Sequence, residues 1–209
     1  GVCPENVSGS VGSSNRLHSA KILQVLSNTA IGGTETFLIS LIPRLRSRGL
    51  DVRLANLWSG GGEIRQMAVE REIPFTAFES GTRRLRASGV YDFWQYLRRE
   101  QFNVINAYGL RASMLMRFMV GTGSSQVRVT GLRNVDTWRK WYHVWPDRLT
   151  QRRVHWFVGN SRDVCAVRRQ RERTPERKLV CIPNGVDTDY FSPDSVSVYE
   201  RRKLGLPDG

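Results

Sequence analysis

From residue 21 to residue 182, short apolar stretches alternate with stretches of helical period, and this rhythm restricts the fold more than any other feature of the 209-residue chain. Lys21 to Ser27 reads as an apolar strand, after which Phe37, Leu38, Leu41, Ile42 and Leu45 recur at helical spacing. Asp51 to Trp58 reads as a second strand, Glu63 to Glu72 as a helix and Ile73 to Phe78 as a third strand. Tyr91 to Glu100 is expected as a helix with Trp94 and Leu97 turned inward. Asn103 to Ala107, Val127 to Thr130, Val154 to Val158 and Leu179 to Ile182 complete the strands, with helices at Arg111 to Val120 and Arg162 to Glu172. Strands alternating with helices predict a doubly wound, mostly parallel sheet in a Rossmann-like three-layer α/β/α arrangement. Right-handed crossovers then place the ligand crevice at the carboxyl ends of the strands. Pro43 conflicts with its helix, because it removes one hydrogen bond, and a kink is expected there.

Two segments at those strand ends carry possible chemistry. Asn28 to Glu35 sets Gly32-Gly33 immediately before a helix, so the backbone can approach an anion closely and the helix N-terminus offers N–H groups and a positive dipole end. The loop is neither G-x-G-x-x-G nor a P-loop, which argues against a dinucleotide site or an NTPase, and an ordinary strand-to-helix turn explains it equally well. Cys181-Ile182-Pro183-Asn184-Gly185-Val186-Asp187 ends the last strand. Pro183 stops the ladder there, and Asn184-Gly185 is expected to supply the positive φ of a sharp turn.

Other classes of chemistry find little support. Cys3, Cys165 and Cys181 form no Cys-x-x-Cys pair and are odd in number, so a reducing cytoplasm is expected, with Cys165 and Cys181 as small buried apolar side chains. His18, His143 and His155 are scattered, and no carboxylate cluster suits a metal, so neither metal nor cofactor is expected. No apolar run spans a bilayer. Met114 to Val120 is short and interrupted by Arg117, as in a buried helix. Residues 1–20, rich in Gly and Ser and without an apolar signal core, are expected to form a flexible leader.

Taken in order along the chain, the motifs resemble the N-terminal half of a GT-B glycosyltransferase, similar to the large retaining family four. Gly32-Gly33-Thr34-Glu35 resembles that family's Gly-Gly-x-Glu loop, and Arg48-Gly49-Leu50-Asp51-Val52 its lead into strand two. Asn103 to Tyr108 resembles its fourth strand, and Asn160-Ser161 and Ile182 to Asp187 resemble the ends of strands six and seven. The resemblance covers about Ala20 to Pro193. It implies a Rossmann-like acceptor-side domain over residues 21–193, with residues 194–209 as a linker and the start of a C-terminal donor-binding domain. It implies a UDP- or GDP-linked nucleotide sugar as donor, its diphosphate held at Gly32 and Gly33. It also implies a glycan or lipid-linked acceptor held by Tyr108, Arg133, Asn134 and Asn184. The catalytic carboxylates would lie in that further domain, leaving this chain inactive by itself. Where the family carries histidines, this chain has Asn106 and Tyr108 on strand four and Arg133 after strand five. An arginine serves as a fork-shaped donor and is a poor base.

Charge leaves two further readings open. The chain has 32 Lys and Arg against 19 Asp and Glu, and between Arg139 and Lys178 twelve basic residues face four acidic ones. Trp138, Trp141, Tyr142 and Trp145 lead into this run at helical spacing. Such a segment suits an anionic membrane surface, which would make the protein peripheral at the inner face of the membrane. The blander reading packs the aromatics on the sheet or along a cleft, with the arginines as a solvated face. A basic polyanion-binding module without chemistry of its own is the rival class, with nucleic acid ranked below a membrane as partner.

Overall fold

A computed structural model describes residues 20–27, 31–57, 62–78, 87–121, 125–135, 138–185 and 188. Residues 1–19 of the leader expected over 1–20, the segment 194–209, Trp58, Cys3 and His18 lie outside the described residues.

Seven strands form one sheet: β1 Lys21–Leu26, β2 Asp51–Asn56, β3 Phe75–Ala77, β4 Val104–Tyr108, β5 Val127–Leu132, β6 Trp156–Gly159 and β7 Leu179–Cys181. The helices are α1 Gly33–Arg46, α2 Gly62–Glu70, α3 Ala87–Glu100, α4 Gly109–Met119, α5 Trp141–Thr150 and α6 Arg162–Glu172. The strand order is β3-β2-β1-β4-β5-β6-β7 with every neighbouring pair parallel, so the doubly wound sheet is as expected. The order reverses between β1 and β4, where successive crossovers leave opposite faces of the sheet. That reversal opens a crevice beyond the strands' carboxyl ends.

Two cores follow from the pleat. On one face, Leu38, Ile39 and Ile42 of α1 and Ile64 and Ala68 of α2 pack on Val52 and Leu54 of β2. On the other, Phe93 and Leu97 of α3 and Ala112 and Met116 of α4 pack on Val25, Ile105 and Phe157. α1 runs as one helix through Pro43, and α6 begins at Ser161, whose hydroxyl caps it by accepting from Val164 N at 3.2 Å. At the amino ends of the strands, the Glu100 carboxylate accepts from Lys21 Nζ at 2.7 Å and Arg53 Nη1 at 2.8 Å, tying the end of α3 to β1 and β2.

Several expectations are corrected. Trp94 is half-exposed; the inward residues of α3 are Phe93, Tyr96 and Leu97, while Arg98 stacks 4.8 Å over the Trp94 ring. β6 begins at Trp156, because Val154 and His155 belong to the approach from a 3₁₀ turn at Gln151–Arg153. Gly185 does not have the positive φ expected of it; among the described glycines that conformation belongs to Gly49 and Gly109. Cys165 and Cys181 are half-buried rather than buried. Helix α5 was hidden in the sequence by Pro146 at its middle. Thr150 Oγ1 donates to the Pro146 carbonyl at 2.8 Å in its last turn.

Candidate functional site

At the reversal of strand order lies a cavity of about 140 Å³. The ends of β1 (Leu26, Ser27), β4 (Tyr108) and β5 (Thr130 to Asn134) form one side. Thr34 and Glu35 of α1, Ser113 and Arg117 of α4, Asp147 of α5 and Arg168 of α6 close it.

Two glycines shape this crevice. At Gly131 a Cβ would stand 2.3 Å from Tyr108 Cε1, so only glycine lets the phenol lie flat across β5. Gly109 has φ +78°, which turns the chain out of β4 directly into α4, and a Cβ there would meet Ser27 Oγ at 3.3 Å. The buried Tyr108 hydroxyl accepts from Asn106 Nδ2 at 2.8 Å. Burial pushes the phenol above its ordinary value despite the opposing influence of Arg133 and Asn106, so Tyr108 is a neutral donor and acceptor.

Arg133 follows β5. Its guanidinium lies 3.8 Å from the centre of the Phe37 ring and 5.3 Å from that of Tyr108, and it donates to Asn184 Oδ1. Asn160 Nδ2 fixes the backbone beneath it by donating to the Arg133 carbonyl at 3.2 Å. The structure therefore brings Tyr108, Arg133 and Asn184 together, with Asn134 exposed at the rim. Gly32 and Gly33 are exposed at the start of α1, whose N-cap glycine has no side chain to cap it. Among the described residues, and leaving aside Gly33's chain neighbours and its own helix backbone, no atom lies within 4 Å of where a Gly33 Cβ would be, so that side of the helix end is open. Glu35, expected to favour the helix dipole, is buried and folds back so that Oε2 accepts from Gly32 N at 3.0 Å.

What the sequence did not disclose is the floor. Asp147, 1% exposed, accepts from Arg117 Nη1, from Arg139 Nη1 at 3.0 Å and from both terminal nitrogens of Arg168. Burial alone would push the Asp147 carboxyl up, but Arg168 and then Arg117 outweigh it and hold it well below the usual carboxylate range. Burial lowers the Arg117 guanidinium, with Asp147 opposing. Two arginines of the basic run, Arg139 and Arg168, are thus buried partners of one aspartate and not part of a solvated face. The aromatics of that run do not pack on the sheet: Trp138, Trp141, Tyr142 and Trp145 are exposed. The one hint in the sequence was Arg117 inside an apolar helical stretch.

The histidines hold backbone. His155 Nδ1 accepts from Arg128 N at 3.0 Å and His143 Nδ1 from Lys140 N at 3.2 Å. Among the described residues no group of three or more His, Cys, Asp and Glu could hold a metal ion, and no helix is long and apolar enough to cross a membrane.

Comparison with known proteins places this geometry. The family model described as Glycosyltransferase Family 4 matches residues 31–190. Among solved structures, Anabaena Alr3699/HepE in complex with UDP superposes with a TM-score of 0.71 at 19% identity, covering 88% of this chain and 50% of that one. A glycosyltransferase from Rickettsia africae gives 0.67 at 17% identity, covering 90% of this chain and 50% of that one. The lipopolysaccharide outer core galactosyltransferase WaaB, in its apo form, gives 0.62 at 14% identity, covering 80% and 46%. At such identities the likeness is one of fold, and the chain spans about half the length of these structures. Among the curated proteins none matches.

Proposed function

We propose, from the premise that this chain belongs to Glycosyltransferase Family 4, that it supplies the acceptor side of a nucleotide-sugar-dependent glycosyl transfer. The observation that carries this reading is the convergence, at one crevice, of a helix N-terminus open at Gly33 with the Tyr108–Arg133–Asn184 constellation. Backbone amides at Gly33 and Thr34, with the positive end of α1, suit the charge that grows on a departing nucleoside diphosphate. The structure of HepE with UDP supports a uridine nucleotide as the donor's leaving part, and the family resemblance supports transfer with retention.

Tyr108, Arg133, Asn134 and Asn184 would hold the acceptor so that its hydroxyl faces the sugar, a positioning role that can contribute roughly 7–11 kcal/mol to lowering the barrier. No imidazole or free carboxylate stands beside Tyr108 and Arg133 among the described residues, so in this half of the cleft the work is orientation and electrostatics. Calorimetric titration with UDP, UDP-glucose and GDP-sugars tests the reading. UDP is expected to bind weakly, through the α1 terminus, and at least about tenfold more weakly to Gly33→Val. Equal affinity in wild type and variant would return the loop to an ordinary strand-to-helix turn.

A second reading, that the domain rests on an anionic membrane surface, is favoured by α5. Trp141, Trp145 and Leu149 follow one another at i, i+4 and i+8 and are 73%, 54% and 71% exposed, with Lys140 and Arg152 nearby in sequence. An acceptor carried on lipid would suit that placement.

A further inference from the structure

Among the described residues, more cations than carboxylates line the cavity. Arg117, Arg133, Arg139 and Arg168 line it against Glu35 and Asp147, four guanidiniums against two carboxylates. Arg139 pairs further with Glu172, outside the lining, at 3.6 Å, and Arg117, Arg133 and Arg168 without it still outnumber the two carboxylates of the lining. Arg117, Arg139 and Arg168 are 1%, 7% and 4% exposed, so water does little to screen that excess. A second observation is independent of the count. Among the described residues, Arg117 Nε and Arg133 Nε are buried atoms without a hydrogen-bond partner. An arginine buried with an idle donor is costly, so these guanidiniums stand to gain from a further acceptor.

We infer that the cavity receives an oxyanion, the phosphate or carboxylate group of an acidic acceptor, with Arg117 and Arg168 at its floor and Arg133 at its mouth. Guanidinium forks match such groups in shape as well as charge. The volume, about 140 Å³, is close to the ~150 Å³ that admits a benzene-sized guest, enough for a phosphate and its ester linkage. The Ser113–Thr130 hydroxyl pair, 2.7 Å apart, adds polar wall. Gly32 and Gly33 are not among the lining residues, although Thr34 is, and the buried Glu35 carboxylate faces the cavity from the α1 side, so the donor diphosphate and this group would be neighbours. The identification of the group's carrier as the acceptor rests on the proposed function; the oxyanion site itself does not.

The test uses the 209-residue chain with methyl phosphate and with acetate, at ionic strength fixed by sodium chloride. The melting temperature is expected to rise saturably with one or both anions and not with chloride. Arg133→Gln, at the half-exposed mouth, is expected to weaken the binding at least about tenfold without unfolding the chain, and Arg168→Gln to abolish it. No saturable shift at about 10 mM anion, or a shift indifferent to Arg133→Gln, overturns the proposal. Competitive displacement of methyl phosphate by UDP overturns its acceptor assignment and gives the arginines to the donor. Anion binding sensitive to Arg133→Gln, in a chain that binds no nucleotide sugar, upholds the oxyanion site while the transferase reading fails. Vesicles of phosphatidic acid and of phosphatidylcholine distinguish the source: Arg133-dependent binding to the former alone marks a lipid-borne phosphate, and binding of methyl phosphate alone a soluble acceptor.

Discussion

Asp147→Asn should destabilise this protein more than any other single replacement of a charged side chain on these helices. The carboxylate is 1% exposed and is the shared acceptor of Arg117 from α4, Arg139 just before α5 and Arg168 from α6. Asparagine keeps the volume, but it removes the charge facing three guanidiniums and turns one acceptor into a donor aimed at donors. Removing one partner of a buried pair typically costs about 3–5 kcal/mol, because the remaining charge stays buried without compensation. In a chain of this size that corresponds to a fall in melting temperature of roughly 6–20 °C. Urea unfolding followed by circular dichroism measures it, with Asp51→Asn as control. Asp51 pairs with Arg53 at 3.1 Å but is 40% exposed, so its loss should cost no more than about 1 kcal/mol.

The pH dependence gives a second readout. The Asp147 value is depressed in the folded chain, so its contribution is complete above the ordinary aspartate value of about 3.9 and is lost as pH falls through the lower folded value. The acid limb of stability against pH, below about pH 4, should therefore flatten in Asp147→Asn. A loss under about 0.5 kcal/mol with an unchanged acid limb would refute the reasoning, since it would mean that the cluster is hydrated and not a dry hub.

Gly131→Ala should cost about 1–3 kcal/mol, since its Cβ would meet the Tyr108 ring at 2.3 Å; unchanged urea unfolding would show that the ring can turn away freely. Gly33→Val, by contrast, places its side chain where no atom lies within 4 Å, so its melting temperature should stay within about 2 °C of wild type while UDP affinity falls. Phe93→Ala should cost about 3–5 kcal/mol and Trp94→Ala clearly less, because Phe93 is fully buried and Trp94 only half; equal losses would contradict the inward face assigned to α3. If α5 meets a membrane, replacing Trp141 and Trp145 by Ala should reduce sedimentation with phosphatidylglycerol vesicles, whereas tighter binding of the wild type to duplex DNA of equal charge density would favour the polyanion module.

Periodicity and a few turn residues determined the sheet. The amide groups of each strand must pair and each helix must bury one stripe, so the order of apolar residues in Lys21 to Leu26 or Arg162 to Glu172 already states the local structure. The places of Gly32-Gly33 before α1 and of Arg133 after β5, at the carboxyl ends of the strands, were legible for the same reason. The choice between Phe93 and Trp94 as the inward residue was not legible, because the two are neighbours on the helix and only the adjacent Phe78 and Tyr96 rings decide which one is enclosed. Nor was the need for glycine at 131, which depends on a ring 23 positions earlier lying across a neighbouring strand. The floor of the cavity was the least visible feature: Arg117 and Asp147 stand 30 residues apart, and one of four acidic residues among twelve basic ones looks like surface until three helices close around it. Burial and pairing of charge are properties of the neighbours that folding assembles, so only the tertiary structure could separate the arginines that face water from those that line a site.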